Sequence, residues 1–328
     1  MAILGFALEC AAVAAAIGTA ASLLGLAAMR ALRPALEHVS ASLRGDLFFL
    51  AGTLPAAAAV AGIAAAAAPS IEVALGLASD HCTTHTDHLH LCFVHPTGLS
   101  PALAALGAFA LAAFVFRAST LACNVLGIRR KLWQLERISR GVRGRFPIFL
   151  VPGAPRLCHA TGVLRPRILL SRGLLQSIGH TEVRGAVAHE RAHLLRRDPL
   201  ANLLLSAAGL FVPPPLAARF QHEYRIAAEE ACDADAAVAM GDPALVADAL
   251  LQVAAAQHAV SFGDAVPAFG ELALETRVAR LLAREGPVAR PARALVLTAA
   301  AVCGIGAAAM TSALPVHDAV ETMLFHLF

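Results

Sequence analysis

Apolar residues run unbroken for long stretches over the first 116 positions and again near the end of the chain. Between these regions they break into helix- and strand-sized pieces. Four stretches carry no Asp, Glu, Lys or Arg: Cys10–Met29, Leu47–Ile71, Leu99–Phe116 and Ala294–Val316, of 20, 25, 18 and 23 residues. A bilayer core of ~30 Å takes about 20 helical residues, so each stretch reads as a span. The third is expected to continue as a basic helix from Asn124 to Glu136, with Trp133 near the interface. Short strands are expected at Phe146–Val151, Leu157–Val163 and Arg167–Leu170, the last two around a turn at Arg165-Pro166. Helices are expected around 182–195, with Thr181 as N-cap, over Tyr224–Asp233, at Ala244–Gln257 and at Leu272–Arg284.

Composition sharpens the picture. Of 328 residues, 58% are hydrophobic and only 15% are charged, which excludes an ordinary soluble enzyme. The basic residues are distributed unevenly. The connection 30–46 holds Arg30, Arg33 and Arg44, and the third span is followed by Arg129, Arg130, Lys131, Arg137, Arg140, Arg143 and Arg145. The connection 72–98 holds no Lys or Arg. Excess positive charge marks the cytoplasmic side, so the N-terminus and the 72–98 loop are expected outside and the region after 123 in the cytoplasm. No basic residue precedes the first run and Glu9 does, so it reads as an uncleaved span rather than a signal peptide. The net charge of +3 is not a nucleic-acid signal; the cluster at 129–145 fits a membrane face and anionic lipid.

The outer loop is unusual in composition. Residues 81–95 hold five histidines together with Cys82 and Cys92. Two readings stand side by side: a Cys82–Cys92 disulfide in an oxidising compartment, or a His/Cys site for zinc or copper.

The chemistry concentrates at His189-Glu190-Arg191-Ala192-His193. On a helix, residues four apart share a face, so both imidazoles can aim at one point with Glu190 beside it. Two imidazoles and an acid next to an open coordination position are the parts of a hydrolytic zinc site. A third ligand is on offer downstream, where Glu229 and Asp233 are again four apart. Glu229 can complete a His, His, Glu set, and Asp233 can hold the free ring N–H of a ligand histidine. Asp198 is a further candidate to orient a histidine or to sit at a helix end. Glu230 and Asp235 read as surface charge, and Cys232 as a small buried residue. Glu190 is expected to act as general base. Tyr224, His222 and Arg225 are candidates for stabilising the oxyanion. His193 and Glu229 must reach one metal, so the charge-free run Pro199–Ala218 between them cannot be a simple crossing. It is expected to dip as a short helix and turn at Pro213-Pro214-Pro215.

H-E-x-x-H-x-x-x-x-D followed by E-x-x-C-D resembles the membrane zinc metallopeptidases of the BlaR/MecR type. Ala160–Leu170 and Leu274–Leu282 resemble the strand and turn before the zinc helix and the last helix of that family. The resemblance covers roughly residues 145–285. It implies a zincin of the gluzincin type using Zn2+ and a protein or peptide substrate. It further implies that His159, Ala160 and Thr161 form an edge strand pairing with substrate backbone. A looser similarity is to the HtpX type. The tail 317–328 is too short for the penicillin-binding domain of the beta-lactam receptors, so beta-lactam sensing is not carried over.

The expected fold is therefore mainly α: a four-span helical membrane protein with a cytoplasmic α+β HExxH metallopeptidase domain. The expected division is 1–123 for three spans, 124–290 for the zinc domain, and 291–328 for the fourth span and a short outer tail. The expected function is that of a zinc metalloendopeptidase in the bacterial inner membrane, cutting a cytoplasmic or juxtamembrane protein in regulatory signalling. The alternatives are an HtpX-like quality-control protease and a non-proteolytic signalling scaffold.

Overall fold

The fold comes from a computed structural model that describes residues 2–78, 100–142, 144–152, 156–258, 269–283, 319–320 and 322. Three of the described helices are long and apolar enough to cross a membrane: α1 (Ala2–Ala31), α3 (Ala41–Ala74) and α4 (Pro101–Ile138). α1 and α3 contain the first two expected charge-free stretches, and α4 holds the third from Pro101 on and runs on through the basic continuation. Ser40 and Ser100 cap α3 and α4, their hydroxyls accepting from Leu43 N and Leu103 N. A short helix α2 (Arg33–Leu36) lies in the first connection. The expected fourth span, 294–316, lies outside the described residues, as do Cys82 and Cys92.

The three long helices meet through small residues. A Cβ on Gly107 of α4 would stand 2.2 Å from the Leu8 carbonyl oxygen of α1, so only glycine permits that crossing. Ala12, Val13, Ala66 and Leu103 are buried where α1, α3 and α4 join.

After α4 the chain forms a four-stranded sheet in the order β1-β2-β4-β3, with β1 at Arg140–Val142, β2 at Ile148–Val151, β3 at Cys158–Thr161 and β4 at Arg167–Ser171. β2 and β4 run parallel, and β3 pairs antiparallel with β4. In β3, Cys158 and Ala160 are buried and His159 is exposed, the alternation of a strand with one covered face. The strand expected over His159, Ala160 and Thr161 is thus present and lies at an edge, packed against the HExxH helix.

A short helix α5 (Arg172–Leu175) leads into α6 (His180–Arg196), α7 (Asp198–Ala208), a 3-10 turn at Gly209–Phe211, α8 (Pro214–Met240), α9 (Pro243–His258) and α10 (Phe269–Leu282). The run 199–218 is not a crossing. The helix ends at Ala208, and Pro213 caps α8 while Pro214 and Pro215 occupy its first turn, where a missing N–H costs nothing. The turn wedges against the long helices: a Cβ on Gly18 of α1 would meet the Phe211 carbonyl oxygen at 2.1 Å. Arg117 of α4 donates to the Gly209, Leu210 and Val212 carbonyls at 2.5, 3.4 and 2.8 Å, satisfying acceptors left over at the end of a helix. The first charge after the third apolar stretch thus pins the tip of this hairpin.

Several expectations are corrected. The cap of α6 is Gly179, not Thr181, because extended backbone at Gly179 starts the helix at His180. β1 has three exposed residues and no apolar pattern, and the sequence reading passed over it. Glu230 is not surface charge but a buried, ion-paired side chain. Tyr224 is buried and bonded to Asp198, which takes it out of the group of oxyanion candidates.

Candidate metal centre

Two helices bring the centre together. α6 presents His189 and His193 on one face, one turn apart, with their rings edge to face at 4.8 Å. The two Nε2 atoms stand 3.1 Å apart. α8 supplies Glu229, whose Oε2 is 3.4 Å from His189 Nε2 and whose Oε1 is 3.5 Å from His193 Nε2. The three donor groups lie within 4.8 Å of one another, a spacing at which one ion can touch all three.

Carboxylates orient both rings from behind. Asp233 Oδ1 lies 2.9 Å from His189 Nδ1, and Asp198 Oδ2 lies 2.7 Å from His193 Nδ1. With a carboxylate behind each Nδ1, a neutral imidazole would carry its proton there and leave Nε2 free on the Glu229 side. Asp198 reaches back because Arg197 adopts a left-handed φ of 59°, turning the chain sharply between α6 and α7. The Tyr224 hydroxyl donates to the other Asp198 oxygen at 2.8 Å. Cys232 Sγ sits 3.3 Å from His193 Nδ1 and 3.5 Å from Asp198 Oδ2, on the far side of the ring from Glu229. It packs behind the histidine, as a small buried residue does.

Arg277 of α10 was not singled out from sequence. Its Nε and Nη2 each donate to Asp233 at 2.8 Å, and its Nη1 lies 3.1 Å from Glu229 Oε2. A planar guanidinium suits this bidentate clasp. The i, i+3 pair Arg277 and Arg280 marks a basic face of α10 in the sequence, but not which acids it meets.

The electrostatics favour a cation between the three donors. Burial alone would pull the pKa of His189 down, but hydrogen bonds and charge from Asp233 and Glu229 carry it up to about 10. Burial would raise Glu229; His189, His193 and Arg277 hold it down at about 2. Asp233 is likewise lowered by Arg277 and His189 against its burial. A divalent cation placed between the donors would meet the same carboxylates. Two imidazoles and one carboxylate, each oriented by a partner, fit a zinc ion with one position open.

Glu190 points a different way. Its Oε2 accepts from the Ala160 backbone N–H of β3 at 2.5 Å, so the acid lies between the histidines and the strand edge. A pocket of about 320 Å³ opens beside it, lined by Cys158, Ala186, His189, Glu229, Val246 and Leu250 among others. Its walls mix apolar side chains with Glu190, Glu229 and Arg277, and burial and the Glu190 charge push the Cys158 thiol well up, keeping it neutral. His222 and Arg225 are both exposed, and Arg225 donates to the Gln221 carbonyl one turn back on α8. Of the residues expected to act together, the structure gathers His189, His193, Glu229, Glu190, Asp233, Asp198 and β3, places Tyr224 behind Asp198, and leaves His222 and Arg225 aside.

The family model described as BlaR1 peptidase M56 matches residues 156–281. No curated protein and no solved structure matches the chain. Residues 156–281, which carry every member of the cluster, are thus similar to this peptidase family.

Proposed function

We propose that this chain is a zinc-dependent metalloendopeptidase that hydrolyses peptide bonds of a cytoplasmic or juxtamembrane protein in regulatory signalling. The observation that carries the reading is the convergence of His189, His193 and Glu229 with Glu190 between them and an open strand edge. His189, His193 and Glu229 would hold the zinc. When bound, zinc supplies a Lewis acid for the scissile carbonyl and makes water a nucleophile near neutral pH. Asp233 and Asp198 keep the two imidazoles in the ligating tautomer. Glu190 takes a proton from the attacking water and delivers it to the leaving amine nitrogen. The Ala160 N–H holds Glu190 Oε2 on the strand side of the site. An extended substrate adds along β3, its main chain supplying affinity and the adjoining pocket receiving one side chain. The arginine-rich connections support a cytoplasmic placement of this machinery, with the N-terminus outside, in the inner membrane of a bacterium.

The test compares wild type with Glu190→Gln in membranes, reading new protein N-termini across the proteome. Both should retain one zinc, and cleavage should vanish in the variant. A single dedicated target supports signalling, and broad cleavage of unrelated proteins supports quality control. Identical profiles with zinc in both would overturn the peptidase reading in favour of a scaffold.

A further inference from the structure

Glu230 follows the candidate ligand Glu229 on α8, but its carboxylate faces another way. Consecutive helical residues are separated by about 100°, so when Glu229 faces α6, Glu230 is turned toward the neighbouring elements. There it meets two arginines. Arg44 of α3 donates to Oε2, and Arg280 of α10 donates to Oε1. The Arg44 and Glu230 side chains are only 10% and 5% exposed. Arg280 is three residues beyond Arg277, which holds Glu229 and Asp233, so α10 clasps two successive acids of α8 from one face.

The first turns of α3 also touch the other metal-binding helix. Arg196, at the end of α6, donates to the Ser42 hydroxyl at 2.9 Å, and its Nε lies 3.7 Å from Asp198 Oδ2. Asp198 in turn orients His193. Thus residues 42 and 44 of one long apolar helix are bonded to both helices that bear the metal-binding groups. The same helix continues to Ala74 through the second apolar stretch. Phe48 and Phe49, one turn further along it, bury against Tyr224, Ala227 and Ala228 of α8.

We propose that Arg44 is a positioning residue for the metal centre: through Glu230 it sets the rotation of α8, aims Glu229 at the two histidines, and so couples the second membrane helix to the site. This rests on the peptidase reading above. Rotation of α8 is the sensitive coordinate. Glu229 reaches both Nε2 atoms with separate oxygens, and a turn of the helix swings its carboxylate away from one of them. An ion pair shielded from water has a sharp geometry and transmits displacement of α3 to α8. Without Arg44, Glu230 keeps only Arg280, whose side chain is 37% exposed, and α8 turns toward that remaining partner.

The experiment uses the full chain in detergent, loaded with Co2+, and reads the visible cobalt absorption, Co2+ affinity, and kcat and KM on the substrate found with wild type. Arg44→Met is expected to shift the cobalt bands, weaken Co2+ binding, and lower kcat about tenfold with little change in KM, the range of effects seen when groups supporting metal ligands are removed. Arg44→Lys restores the charge without the fork and should recover much of both signals. Glu230→Gln keeps the shape of the acid and should give an intermediate shift; it also serves if Arg44→Met does not fold. Variants with wild-type cobalt bands, affinity and kcat, whatever their melting temperature, overturn the proposal. The peptidase reading fails differently, through a wild type that binds no cobalt or that cleaves independently of Glu190.

Discussion

The contact of α6 with α8 and the contacts of α1 with α3 and α4 are both close, and they hold for opposite reasons. Between α6 and α8 almost every side chain at the centre is polar: two histidines, three carboxylates, and the arginines and tyrosine that satisfy them. Between the long helices it is the absence of a side chain that matters, at Gly107 where α4 crosses α1, with alanines beside it, and likewise at Gly18 where the 3-10 turn meets α1. A polar junction is specified atom by atom, because each buried charge or N–H needs a named partner. An apolar junction of small residues is specified by volume, because dispersion and close approach are all that hold it.

The comparison can be broken most severely at the histidines. His189→Ala or His193→Ala removes a donor that nothing nearby replaces. Zinc content should fall to background, and all cleavage that depends on Glu190 should disappear, as read by metal analysis and N-terminal mapping. Stripping zinc from wild type with a chelator should lower the melting temperature; the stabilisation lost grows with the zinc concentration it is compared with, about 4 kcal/mol at a thousandfold excess over Kd. A melting temperature indifferent to zinc would place the ion outside the fold.

Next come the acids behind the rings. Asp198→Asn and Asp233→Asn keep the volume and remove the charge, and each should weaken zinc or activity roughly 10- to 100-fold. The apolar junction should answer to volume instead. Gly18→Val forces side-chain carbons onto the Phe211 carbonyl and should cost about 1–3 kcal/mol in thermal unfolding, or more if the hairpin cannot move aside. Phe109→Leu, on an exposed part of α4, should stay within about 0.5 kcal/mol. Equal sensitivity at 18 and 109 would remove the distinction drawn between the two junctions.

The smallest effect is expected at Arg197. Its left-handed backbone costs an ordinary residue about 1–2 kcal/mol, and glycine relieves that while adding about 0.5–1 kcal/mol of chain entropy. Arg197→Gly should therefore leave stability and zinc affinity nearly unchanged, while a β-branched Arg197→Val should lower both. Indifference to valine would mean that the turn carrying Asp198 is not held by this backbone conformation.

Much of the candidate metal centre was legible because its signals are local. His189 with His193 and Glu229 with Asp233 are each four apart, and a helix turns that spacing into a shared face whatever surrounds it. The re-entrant reading of 199–218 followed from three prolines and from the need of two distant residues to reach one ion. The edge strand came with the resemblance, and pairing places it at the edge of the sheet. Arg277, Arg44 and Arg196 were not legible. They lie on three helices, and their partners, at Asp233, Glu230 and Ser42, are 44 to 186 residues away in sequence.

By itself the sequence determined which stretches are long enough to cross a bilayer, which residues share a helical face, and that histidines and acids are available for a metal. Length and period decide these matters within one element. Only the tertiary structure decided between Glu229 and Glu230. Helical geometry sets the angle between the two but not the rotation of α8 as a whole. That rotation is set where α8 packs against α3, α6 and α10, and by the charges those helices bring to it.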